Sequence, residues 1–106
     1  VAWLLTTDGA AVEIYPKNGR TSFTLQELQH YVGGYIEAVY MQDGRVLIVN
    51  EEGKLHGLAF NYRATAHAAN VLVNDHIVGN AVLCTMEEAG GDGSEDEEEE
   101  EDNEPA

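Results

Sequence analysis

A chain of 106 residues with 20 acidic and 5 basic side chains, and a formal charge of −15, suits one small domain and excludes a surface that neutralises duplex phosphates with clustered Lys and Arg. The acidity is uneven: 12 of the acids fall in residues 87–106, which hold no Lys or Arg, so the charge describes a tail rather than a salt-adapted folded surface. A single cysteine, Cys84, excludes an intramolecular disulfide and a four-thiolate metal site.

Ala2-Trp3-Leu4-Leu5-Thr6-Thr7 and Ala11-Val12-Glu13-Ile14-Tyr15 are short, apolar and β-favouring, and Asp8-Gly9 between them predicts a hairpin. Pro16 lacks a backbone donor and Asn18-Gly19 favours a turn, which ends the second strand. Thr24-Leu25-Gln26-Glu27 fits a capping box. Leu25, Leu28 and Val32 then recur at helical spacing, and Gly33 stands where the chain must leave that helix in a left-handed conformation. Gly33 and Gly34 are therefore read as a structural turn. Residues 35–41 alternate as a strand whose Ile36, Ala38 and Tyr40 side meets the helix. Asp43-Gly44 turns it into Arg45-Val46-Leu47-Ile48-Val49, a nearly continuous apolar strand expected at the centre of a sheet. Asn61 is expected to cap a second helix over residues 62–69. Val71-Leu72-Val73 either extends that helix or forms a short strand. Residues 77–84 read as the last strand, with Gly79 a candidate bulge.

The expected fold class is α+β: a small, mainly antiparallel sheet in the order β-β-α-β-β-α-β, with two short helices on one face. Residues 1–86 form the single domain. The acidic tail, 87–106, has almost nothing apolar to bury and is expected to be disordered. No apolar run has transmembrane length and no basic-flanked leader opens the chain, so a cytoplasmic protein with no membrane partner is expected.

Four stretches, LQELQHYVGGYIEAV, LIVNEEGKLHGLAFN, ATAHA and IVGNAVL, spread over residues 25–83, resemble a small family of phage and mobile-element domains labelled a domain of unknown function. The acidic tail lies outside the stretch that carries the resemblance. The resemblance implies a role in infection or in conflict with host defence, and no activity comes with it.

Chemistry-bearing residues are sparse. His30, His56, His67 and His76 lack zinc-ligand spacing, and no Ser or Cys sits in a strand-to-helix elbow; neither a metal, a cofactor nor a catalytic residue is expected. Gly33-Gly34 follows a helix instead of preceding one and lacks the rest of a phosphate-binding fingerprint. The most suggestive constellation is His56, Asn61 and Arg63 with Tyr35 and with Phe60 and Tyr62 as further stacking surfaces: amide and guanidinium donors at a helix start beside aromatic faces suit a small nucleotide-like ligand. Against it stands the plain alternative of a helix cap, a core ring and a solvent-facing Arg. The leading expectation is a non-enzymatic accessory protein that binds a host protein. A nucleotide-sequestering module comes next, then a small enzyme whose site is not legible. The tail could occupy a basic surface of a host protein, regulate the folded part, or simply keep the protein soluble.

Overall fold

The computed structural model describes residues 1–90. Its elements are β1 (Ala2–Leu5), β2 (Ala11–Ile14), a 3-10 turn (Lys17–Gly19), α1 (Leu25–Val32), β3 (Ile36–Tyr40), β4 (Arg45–Asn50), α2 (Tyr62–His67) and β5 (Ala81–Thr85). The expected element order is present, and the five strands form one antiparallel sheet in the order β2-β1-β5-β4-β3.

Two hairpins share one turn chemistry. In the first, Thr6 N donates to Ala10 O at 3.0 Å, Gly9 N to Thr6 O at 3.0 Å, and Asp8 accepts from Ala10 N. In the second, Met41 N donates to Arg45 O at 2.9 Å, Gly44 N to Met41 O at 3.2 Å, and Asp43 accepts from Arg45 N. In each, Asp satisfies an amide that the turn leaves free and Gly closes it, the three-residue hairpin connection.

The capping box of α1 is formed: Glu27 N donates to Thr24 Oγ1 at 3.0 Å and Thr24 N to Glu27 Oε1 at 2.8 Å. Gly33 leaves the helix at φ 84°, its N–H on Gln29 O at 2.8 Å. The same Thr-x-x-Glu pattern recurs at Thr85 and Glu88, where Thr85 N reaches Glu88 Oε1 at 2.9 Å and Glu88 N reaches Thr85 Oγ1 at 3.0 Å.

Leu28 and Val32 of α1 pack with Ala2, Val46, Ile48, Val82 and Cys84 on one face of the sheet, and Ile36 and Ala38 join them. Ala64 of α2, with Ala68 after it, packs with Leu5, Leu47, Val49, Ala81 and Leu83 on the other face. The expectation of both helices on one face is therefore corrected: they lie on opposite faces. Adjacent residues of β4 point to opposite sides, and Val46 to Val49 are all buried, so each side needs a cover.

Three further boundaries differ. The last strand starts at Ala81, because residues 77–79 pair with residues 59–61 instead: Asn61 N donates to Ile77 O, Gly79 N to Ala59 O, and Phe60 bridges Val78. Gly79 thus precedes the strand and is no bulge within it. Val71 and Leu72 both donate to Ala68 O, so residues 71–73 form a turn and neither extend α2 nor make a strand. The packed chain continues beyond residue 86. Phe23 N donates to Glu88 O at 2.7 Å, Ala89 packs on the α1 side of the core, and Gly90 is buried. The remainder of the acidic tail, and its expected disorder, lies outside the described residues.

Candidate functional site

Of the four residues expected to bind a ligand, Tyr35 and His56 come together. They line a hollow of about 500 Å³ between α1 and the turn after β4, shared with Gln26, Gln29, His30, Gly33, Gly34, Asn50 and Glu52. The chain makes this hollow by two uses of adjacent glycines. Gly33 supplies the left-handed exit of α1, and Gly34 lets the backbone pass Asn50, since a Cβ at Gly34 would stand 3.0 Å from Asn50 Nδ2. Asn50 is itself buried and tied on both sides, with Nδ2 donating to Val32 O at 3.1 Å and Oδ1 accepting from Glu52 N at 2.8 Å. Tyr35, 64% exposed, stands on this braced corner, and His56 is held over the hollow by Glu52 at 3.2 Å.

Asn61 is elsewhere and fully occupied. It is 0% exposed, its Nδ2 donates to Leu5 O at 2.9 Å and Gly79 O at 2.8 Å, and its Oδ1 accepts from Ala64 N at 2.9 Å. Of the expected ligand position at the start of α2, Asn61 is not open to a ligand: its side chain takes up both the cap amide and two backbone carbonyls, and presents no polar atom outward. Arg63 donates from Nε to Gly9 O at 3.0 Å. It lines a separate hollow of about 380 Å³ with Gly9, Tyr62, Ala66 and His67. Burial pushes the His67 pKa down, and the nearby cations Arg45 and Arg63 act in the same direction.

Phe60 packs against Tyr62 and His76 with ring centroids 6.4 and 5.6 Å apart, away from the Tyr35 hollow. A further hollow of about 330 Å³, lined among others by Glu37, Val39, Lys54 and Asp75, opens where Lys54 pairs with Asp75. Cys84 is buried, and desolvation pushes its thiol up to about 12, so it behaves as a core side chain and not as a thiolate. Among the described residues no group of three or more His, Cys, Asp or Glu side chains is arranged to hold a metal ion, and no helix is long and apolar enough to cross a membrane.

Sequence reasoning missed Gln29, His30 and Glu52. Its available signal was the stripe Gln26, Gln29, His30, Gly33, which recurs at helical spacing beside the Leu25, Leu28 and Val32 stripe and so shares one flank of the helix.

The sequence model of a family described as Domain of unknown function (DUF3846) matches residues 4–102. The match extends past the motif-bearing stretch 25–83 in both directions and takes in most of the first hairpin and most of the acidic tail. No curated protein and no solved structure shows a significant match.

Proposed function

The chain belongs to the DUF3846 family, which brings no activity with it, and on that footing we propose a non-catalytic accessory protein of a phage or mobile element that binds a host protein, in the host cytoplasm, through the Tyr35 hollow. One observation carries this: an exposed tyrosine and two histidines gather around a rigid Gly33-Gly34 corner beside an open hollow. Tyrosine offers large contact area with few rotors to fix, which favours it at protein interfaces. The non-catalytic part rests on the inert Cys84 thiol. A nucleotide-like ligand is the second reading, with stacking on Tyr35. It is the weaker one, because no Lys or Arg lines that hollow to meet a phosphate.

The test is affinity capture from host lysate with the full chain, Tyr35→Ala, His56→Ala and Tyr62→Ala. A host protein retained by the parent and by Tyr62→Ala but lost with the first two variants supports the proposal. Capture that survives both site variants refutes it. Amide shifts in residues 29–35 on titrating nucleotides, without any captured protein, would favour the second reading.

A further inference from the structure

We infer that the open edge of β3 is a self-association seam, at which a second copy of this chain adds its own β3 antiparallel and joins the two sheets. This goes beyond host-protein binding and does not rest on it.

The phase of the backbone decides which groups face outward. At one end of the β3–β4 pair Met41 N donates to Arg45 O, and at the other Glu51 N donates to Tyr35 O. Hydrogen-bonded partners alternate along an antiparallel ladder, so residues 35, 37, 39 and 41 turn their amides and carbonyls toward β4. Ile36, Ala38 and Tyr40 turn theirs away. No strand lies beyond β3 in the sheet order, and none of these three residues makes a backbone hydrogen bond outside the β3–β4 pair among the described residues.

The outward set is self-complementary about Ala38. Under a twofold there, Ala38 meets Ala38, Ile36 meets Tyr40 of the second copy, and Tyr40 meets Ile36. Every outward amide and carbonyl of both strands then finds a partner. Sliding the register two residues either way leaves part of that set unpaired, and in one direction sets Glu37 directly against Glu37. In the full register Glu37, the only charged residue of β3, faces Val39. Tyr40, 63% exposed, gains Ile36 of the second copy as an aromatic–β-branched cross-strand pair. The strand carries no Pro, no Lys and no bulge, and of the devices that protect an edge it has only the single charge of Glu37. The opposite edge is protected. β2 pairs to β1 with Ala11 and Glu13 in the outward phase, and Pro16 and the 3-10 turn follow at once.

The twofold leaves the two Glu37 side chains as diagonal neighbours, about 7–8 Å apart, and this supplies a specific test. Sedimentation of the full chain over rising concentration, at raised salt to screen the tails, should show a monomer–dimer equilibrium. Ala38→Pro removes an outward N–H and spares the β4 ladder, and should abolish the dimer. Tyr40→Glu, at an exposed position, should weaken it about tenfold or more. Mixing the parent with Glu37→Lys should yield heterodimer in excess of the statistical half, since its single 37–37 diagonal then joins opposite charges. A chain that stays monomeric at millimolar concentration overturns the inference. So does a dimer indifferent to Tyr40→Glu, or a purely statistical mixture with Glu37→Lys. Slow hydrogen exchange at Ile36, Ala38 and Tyr40 in the monomer, or their protection only by a foreign strand, overturns it as well.

Discussion

Replacing Asn61 by Ala tests whether this side chain knits three segments together. The substitution removes a helix cap worth about 1 kcal/mol and two buried amide-to-carbonyl bonds, to Leu5 O and Gly79 O, each worth about 1 kcal/mol net with a further cost for any acceptor left bare. The expected loss is roughly 3–4 kcal/mol, a large share of the roughly 5–13 kcal/mol available to a domain of this size. Urea unfolding followed by Trp3 fluorescence measures it, with an unchanged slope against denaturant confirming two-state behaviour. Asn61→Asp sharpens the test. Asp caps helices as well as Asn does, but here it would aim an acceptor at two carbonyls, so at neutral pH it should destabilise at least as much as Ala. A loss below about 1 kcal/mol for Ala, or an Asp variant as stable as the parent, would show that Asn61 is an ordinary surface cap and would reopen the start of α2 as a ligand position.

Gly33→Val should cost about 1–3 kcal/mol through its left-handed backbone alone, because a Cβ there meets nothing within 4 Å; unchanged stability with lost partner binding would move Gly33 from the turn into the site. Burial acts to raise the Glu27 pKa, but hydrogen bonds from the Thr24 and Lys17 amides and the Arg20 guanidinium outweigh it and hold it below the ordinary value. The resulting stabilisation is fully present above the unfolded-state pKa and is lost as the pH falls through the folded one. The midpoint gap between the parent and Glu27→Gln should therefore shrink on acidification below about pH 4.5, and a gap independent of pH refutes this. Ending the chain after Gly90 should leave the unfolding midpoint nearly unchanged. Ending it after Met86 should lower stability by about 1–3 kcal/mol, since Phe23 N and the carbonyl of Glu88 part and Ala89 leaves the core; equal midpoints would return the boundary to residue 86.

What was legible in the sequence was local. Asp-Gly turns and the Thr24–Glu27 box act within five residues, so their chemistry needs no knowledge of the rest of the chain. The side of the sheet taken by α2 was implicit in Val46-Leu47-Ile48-Val49, because a strand apolar on both sides needs cover on both. The insertion of β5 between β1 and β4 joins residues far apart in sequence, and no short pattern marks it. At the site, sequence reasoning groups Tyr35 and His56 with Asn61 and Arg63, and only the fold, through the turn after β4, divides the first pair from the second. Asn61 misled for a physical reason: a cap looks the same in sequence whether its remaining amide hydrogens meet water or buried carbonyls.

The central place of β5 also governs how the protein comes into being on the ribosome. Its two hairpins can each form from consecutive residues, yet neither contacts the other through the sheet until the strand made last slides between them. Until then β1 and β4 each expose a bare edge, and that of β4 is almost wholly apolar. Sequence-distant pairing of this kind slows folding and lengthens the exposure of sticky edges. Nascent chains arrested shortly before Ala81 emerges should therefore be the form most in need of a chaperone, and the domain should close in one late, cooperative step.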